Sequence, residues 1–440
     1  GAVELSGRAT PWGRAASGPG PAGWSVDLAV DRLEAREAAG FAAPALFRGG
    51  RILAEAIPAE RRLELTSLEL PAAFDDAGPL RLHAEGLATL EEAGPRLAMR
   101  FGADGFGAEA LKRAWPVFAA PGAREWVEEN VAAARITGMS GAFWMAPGET
   151  PEVTMEFGFE DLSGTILDGM PRLEGAAGTG HVTLARFEMA FDAAQTTPPG
   201  GEPISLAGSR FVIPDLGVDP PAAAPVTRGE GRLADLLALI DQPPLRLTRR
   251  LDADLSGIEG RAEVEARLSF RLLKDLDVDD VGVAASARIS DLAMTAPGDG
   301  PRIVSNDLAL EATPEAFRLW GGATIDGRPA QVAWTERFDA SLPPDRRRDV
   351  SATLTLRPAD LAEFGLSPGL EMPRGRISAQ VQLTGAGFGD GFAVDADLGP
   401  AALRIAEIGW EKTVGEPGRL RVSGRIADDG AVTLDAFDLS

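Results

Sequence analysis

The feature that most constrains this chain is a strict alternation of oily and polar residues, repeated many times along its length. Ala262, Val264, Ala266, Leu268 and Phe270 alternate with Arg261, Glu263, Glu265, Arg267 and Ser269. Ile377, Ala379, Val381 and Leu383 alternate with Arg376, Ser378, Gln380 and Gln382. Val153, Met155, Phe157 and Phe159 alternate with Thr154, Glu156 and Glu160. Successive strand side chains point to opposite faces, so each run predicts a strand with one oily and one wet side. Such strands belong to antiparallel sheets with a solvated face, because parallel sheets are covered on both faces. Similar runs recur near 22–30, 61–70, 81–90, 97–103, 181–191, 283–289, 350–356, 392–398, 418–426 and 431–436. Turn-forming stretches such as Gly298-Asp299-Gly300-Pro301 and Gly385 to Gly391 separate them.

In places the phase slips. Val182 and Leu184 are followed out of step by Ala185, Phe187, Met189 and Phe191, which predicts a β-bulge. Gly260-Arg261, Gly375-Arg376 and Gly180-His181 each lead into an alternating run, and Asp-Leu-Ser-Gly occurs at 161–164 and 254–257. The spacing is too irregular for a fixed-period solenoid, so a degenerate array of hairpins is expected. Helices are few. Pro121 to Ala134 predicts one, with Trp126, Val127, Asn130 and Val131 at helical spacing. Leu233 to Asp241 predicts a second, stopped by Pro243-Pro244, and Pro358 to Phe364 a short third. Loops near 194–203, 214–229 and 339–348 are Pro-rich or charged.

Composition narrows the function. The 43 Lys+Arg against 66 Asp+Glu leave a net charge of −23. That balance opposes nucleic-acid binding, which needs a basic footprint for phosphates, and opposes adhesion to an anionic membrane surface. There is no Cys, which removes disulfides, thiolate metal sites and Cys nucleophiles. The only two His, His83 and His181, leave little for imidazole catalysis or metal binding. No apolar run approaches the ~18 residues of a membrane helix. Beginning at Gly1 and showing no signal peptide, the chain reads as a processed or excised part of something longer, with any anchor removed.

The chemical motifs are weak. Gly365-Leu366-Ser367-Pro368-Gly369 matches the nucleophile-elbow pattern, but Pro368 and Gly369 stand where a helix must start and both His lie upstream. Asp275, Asp277 and Asp279 resemble half of a calcium loop, with Asp280 where Gly is needed and Ser286 where a bidentate Glu is needed. Gly385 to Gly391 lacks the Lys and following helix of a phosphate loop. His83, between Arg81 and Glu85 on an alternating run, points to solvent; His181 is placed at a strand start without a metal-binding partner. Glu128 and Glu129 are adjacent on a helix and point apart. No cofactor, no metal and no catalytic set is expected, so the chain is read as a non-enzyme.

Each oily strand face must be buried against something. A second sheet would give closed sandwiches. The other answer is a single sheet curled into a groove, with lipid tails as the other half of the core, although sandwiches are the commoner arrangement of all-β chains. Alternation does not choose between them. A resemblance does. Ala114-Trp115-Pro116, followed by Ala120-Pro121-Gly122-Ala123-Arg124-Glu125-Trp126-Val127-Glu128-Glu129-Asn130-Val131, resembles a WP…AR-x-WV-x-x-N stretch of the YhdP-like proteins. These belong to the AsmA-like superfamily, which also holds TamB. Leu236 to Leu245, Ile325 to Ala330 with Trp334, and Gly409-Trp410-Glu411-Lys412 with Gly415-Glu416 are further matches in order. The resemblance covers roughly residues 110 to 440.

That family implies a mainly β fold: an elongated, twisted, antiparallel single-layer β-groove, taco-like, with two or three short helices. It implies a periplasmic protein of Gram-negative bacteria, held in the inner membrane by an N-terminal anchor that this chain lacks. The implied function is passive phospholipid transport between inner and outer membrane, with acyl chains in the groove. The chain is short for a full envelope span, so it is expected to be a middle portion or a smaller relative. Three stretches are expected: a groove segment over 1–109, a segment over 110–230 carrying the Trp-rich helix near 121–134, and a groove segment over 231–440 opening with helix 233–241. The lipid-facing candidates are Val153, Met155, Phe157, Phe159, Val264, Ala266, Leu268, Phe270, Ile377, Ala379, Val381 and Leu383. Trp115 and Trp126 are candidates for a plug, although a helix packed on the sheet edge is the plainer reading. The alternative function is an assembly module that binds outer-membrane proteins of the cell envelope by strand addition.

Overall fold

The alternating runs form antiparallel strands. The structure, a computed structural model, describes residues 3–13, 18, 22–35, 45–74, 78–115, 120–243, 245–250, 255, 257–273, 280–296, 300–339, 341–358, 360, 371–384, 391–406, 409–426 and 432–440. The Gly365–Gly369 stretch, Asp275 to Asp279, the hairpin tip at 385–390 and most of the expected helix over 358–364 lie outside the described residues.

In chain order the strands are β1 (Val3–Trp12), β2 (Gly23–Ala35), β3 (Ala45–Phe47), β4 (Gly50–Ile57), β5 (Arg62–Phe74), β6 (Gly78–Glu91), β7 (Gly94–Gly107), β8 (Val131–Met145), β9 (Glu152–Gly164), β10 (Leu173–Thr183), β11 (Phe187–Thr196), β12 (Ile204–Ser205), β13 (Arg210–Ile213), β14 (Ala222–Ala223), β15 (Val226–Arg232) and β16 (Glu259–Arg271). They continue with β17 (Gly282–Thr295), β18 (Arg302–Ala312), β19 (Ala316–Ile325), β20 (Arg328–Arg337), β21 (Arg348–Leu356), β22 (Glu371–Gly375), β23 (Ile377–Thr384), β24 (Gly391–Asp397), β25 (Ala401–Ile405), β26 (Trp410–Lys412), β27 (Arg419–Ile426) and β28 (Val432–Leu439). The helices among the described residues are short: α1 (Ala108–Ala114), α2 (Pro121–Asn130), α3 (Leu233–Ile240) and the single turn α4 (Pro344–Arg347).

The chain forms two compact units. The first comprises Gly1–Thr196, Ser205–Thr227 and Ser269–Asp280; the second comprises Thr197–Ile204, Arg228–Leu268 and Val281–Ser440. In the first unit, β1, β2, β4, β5, β6, β7, β8, β9, β10, β11 and β13 pair antiparallel in that order. The short β3 bonds both β2 and β5. In the second, β17, β18, β19, β20, β21, β23, β24, β27 and β28 do the same. A separate small sheet, β22–β25–β26, accompanies the second unit.

Local chemistry sets the turns. Asp326 and Gly327 join β19 to β20 with positive φ at both positions (48° and 75°), the conformation a two-residue hairpin demands and Asp-Gly supplies. The phase slip at 182–187 is not a bulge. Strand β10 ends at Thr183, whose Oγ1 accepts hydrogen bonds from the amides of Ala185 (3.2 Å) and Arg186 (2.9 Å), and β11 begins at Phe187. A side-chain-stabilised turn reverses the chain there, so the change of phase is a change of strand. His181 therefore lies near the end of a strand that starts at Leu173.

The Trp-rich helix stops at Asn130, and Val131 opens β8 instead of continuing the helix to Ala134. Helix α1 was not expected. It is built from good helix formers, Ala-Glu-Ala-Leu-Lys-Arg-Ala, and Lys112 and Arg113 in its last turn favour the dipole.

Candidate functional site

Following the pairing register across the first unit gives a line of side chains on one face: Gly7, Leu28, Ile52, Leu68, Ala84, Phe101, Gly141, Met155, Val182, Phe187 and Ile213. Every member is apolar or glycine over eleven strands. The second unit gives Ile289, Leu308, Gly321, Val332, Ala352, Val381, Val394, Val422 and Phe437 over nine. At ~4.8 Å per strand, these oily lines have contour lengths of roughly 48 and 38 Å, longer than the ~30 Å hydrocarbon core of a bilayer.

The opposite face is wet. One of its lines in the first unit runs Arg51, Glu69, His83, Gly102, Ser140, Glu156, His181 and Glu188. His83 is exposed, as the alternation predicts. Ion pairs sit on this face: Arg51 makes two bonds to the Asp27 carboxylate (3.0 and 2.9 Å), and Arg419 pairs with Asp395. The hydrogen bond from Arg51 holds the Asp27 carboxyl below its ordinary range; Arg419 does the same for Asp395 and Arg96 for Glu91. A depression of about 650 Å³ lies by His181, flanked by Glu156, Glu188 and Ser140, with Gly138 and Gly158 leaving room. Among the described residues no three His, Cys, Asp or Glu side chains could together hold a metal ion.

The oily faces are only partly covered. In the first unit Ala103, Phe106, Ile136, Phe159, Leu173 and Ala176 form a closed core with Ala110 of α1, which packs on β6, β7 and β8. These positions share one margin of the sheet, near the end of β9 and the start of β10. Toward the opposite margin Val153, Met155 and Phe157 are half-buried, and Leu63 and Leu90 are about half exposed (49% and 54%). Phe159 is therefore core, packed edge-on to Phe191 at 5.7 Å, whereas Phe157 is partly open. The Phe157 ring lies over Gly180 on the next strand, where an added Cβ would come within 2.1 Å of it.

The second unit repeats the pattern with different parts. Ile377 and Ala379 are buried (5% and 4%) among Met372, Ala396, Leu398, Ala401 and Leu403, so the small sheet makes a local second layer over them. Val381 and Leu383, farther along the same strand, are half-buried. Lys412 anchors this layer. Its buried ammonium donates to the carbonyls of Leu398 (2.9 Å), Ala401 (3.2 Å) and Thr413 (3.2 Å).

On β20 the same face carries Ala330, Val332 and Trp334 between two charged residues, and both charges are paired. Arg328 bonds Asp360 (3.2 Å) at one end, and Glu336 accepts from Arg348 (2.7 Å) and from Trp334 Nε1 (3.2 Å) at the other. On β16, Val264, Ala266, Leu268 and Phe270 are half-buried, while Arg261, Glu263, Arg267 and Ser269 are exposed.

Sequence reasoning missed α1, Lys412 and the Glu336–Arg348 pair. Helix propensity at 108–114 was the available signal for the first; the other two depend on partners distant in the chain. Trp115 is half-buried beside the end of α1, and Trp126 is 41% exposed on α2, which has no buried residue. It is Ala110 of α1, not either Trp, that sits against the oily face. No described helix is long and apolar enough to cross a membrane. Set against models of known protein families and against curated proteins, the chain matches none.

Proposed function

We propose that the protein is a lipid-binding groove that carries phospholipid passively between inner and outer membrane, with acyl chains on the oily faces and no chemistry. One observation carries the reading: apolar lines cross each unit without a polar interruption, yet each face keeps partly uncovered members, such as Leu63 and Leu90 in the first unit and Val381 and Leu383 in the second. A sixteen-carbon acyl chain gains on the order of 12 kcal/mol from burial at ~0.8 per CH₂, enough to be held without headgroup recognition. The acidic wet face keeps such a protein soluble and off anionic surfaces. The sequence resemblance to the YhdP-like proteins adds the periplasm as compartment and phospholipid as cargo.

The test is recovery of cargo. Protein purified from a periplasm-bearing host under detergent-poor conditions is extracted and its lipids identified by mass spectrometry. Stoichiometric phospholipid supports the reading; protein that is folded and lipid-free sinks it.

A further inference from the structure

Two edge strands of these sheets carry complementary features. Among the described residues, β1 pairs with β2 alone and β28 with β27 alone. On β28 the oily face is bare: Leu434, Phe437 and Leu439 are 56%, 64% and 38% exposed. On β1 the oily face is small, with Gly7 and Ala9 following Leu5. Large side chains at one edge thus meet small ones at the other. Within the sheets this combination already recurs, as Phe157 over Gly180 and Phe392 over Gly424.

The wet face adds a sign. Asp395, Arg421 and Asp438 stand in line across β24, β27 and β28, so the charge at that edge is negative. Arg8 stands opposite Asp27, which Arg51 binds, so the charge at the β1 edge is positive. Several antiparallel registers keep oily face against oily face. Placing Phe437 opposite Leu5 sets Asp438 against Glu4, which repels, and placing it opposite Gly7 sets Asp438 against Ser6. Placing Phe437 opposite Ala9 sets Asp438 against Arg8 and Leu439 against Gly7. Only the last register continues the alternation of charge unbroken, from Asp395 through Arg421, Asp438 and Arg8 to Asp27 and Arg51.

We propose that β28 of one copy pairs with β1 of a second copy in this register. The junction is head-to-tail, so each copy keeps one donor and one acceptor edge. It joins the oily lines of the two copies and covers Phe437. This goes beyond the lipid reading and stands without it.

The experiment is sedimentation of the native chain over a concentration series, with Asp438→Arg and Arg8→Asp made separately. The native chain is expected to self-associate, and each variant to do so roughly tenfold more weakly. In a mixture of the two variants both junctions between unlike copies are matched, the Asp438→Arg β28 with the Arg8→Asp β1 and the native Asp438 of one with the native Arg8 of the other, so association recovers as alternating chains while each variant alone stays weak. Circular dichroism checks that each variant is folded. The absence of Cys allows a register test free of competing thiols. Thr10→Cys chains mixed with Ala436→Cys chains are expected to form a disulfide, and Ser6→Cys with Ala436→Cys are not. A native chain that stays monomeric, variants that associate like the native chain, or cross-linking at Ser6 in place of Thr10 would each overturn the proposal.

Discussion

Val381 and Ile377 share a strand and a face, and differ in what lies above them. Replacing each by Asp separates an open lipid wall from a closed core. Ile377 is 5% exposed against Met372, Leu403 and Ala396. Its replacement forfeits the side-chain burial, ~2–5 kcal/mol, and strands a carboxylate in apolar surroundings for several more. Against a total stability of ~5–15 kcal/mol, that unfolds the second unit. Val381 is half-buried, so its replacement loses roughly half the value of a buried Val, about 1 kcal/mol, and the carboxylate stays hydrated. Binding then suffers instead. Keeping about three methylenes of an acyl chain off the wall at ~0.8 kcal/mol each weakens affinity by ~2.4 kcal/mol, roughly fifty-fold. Urea denaturation measures the first quantity and displacement of a fluorescent fatty acid the second. If Val381→Asp unfolds as Ile377→Asp does, or binds the probe as tightly as the native chain, the division of this face into core and open wall is wrong.

Three further outcomes are expected. Lys412→Met takes the ammonium away from three carbonyls, of which that of Leu398 keeps the Ala401 amide, and destabilises the small sheet by ~2 kcal/mol, seen as faster amide exchange at Leu403 and Trp410. Glu336→Gln removes the carboxylate that pairs with the buried Arg348 and costs ~3 kcal/mol by urea titration, whereas Glu336→Leu with Arg348→Leu is close to neutral; equal losses would refute the pairing. The Asp27 carboxyl, held below 3.8 by Arg51, titrates lower in the folded than in the unfolded chain. Its contribution to stability is therefore complete above the unfolded value and is lost as pH falls through the folded one. In Arg51→Gln the Asp27 resonance in NMR shifts its midpoint upward; an unchanged midpoint would contradict the Arg51 bond as the cause.

The strands at 259–271 and 377–384 were legible because side-chain direction in a strand has period two, and that period is written in the sequence whatever the partner. The turn at Thr183 was not. A hydroxyl accepting two amides reverses the chain without Gly or Pro, so the phase change passes for a bulge. Helix α1 is only seven residues long, and its neighbours Phe106 and Ala103 continue a strand pattern, which hid it. Lys412 looked like any basic residue because two of the three carbonyls that bind its ammonium, those of Leu398 and Ala401, come from another segment.

By itself the sequence determined which face of each strand is oily, where most strands lie and that acidity belongs to the other face. These follow from local geometry and hydration, residue by residue. Tertiary structure alone decided how much of the oily face is closed. Phe159 and Phe157, or Ile377 and Val381, are equivalent in sequence pattern, and they part company because α1 and the small sheet cover one margin and leave the other open. Cover is a property of distant segments brought together, and alternation along one strand carries no record of it.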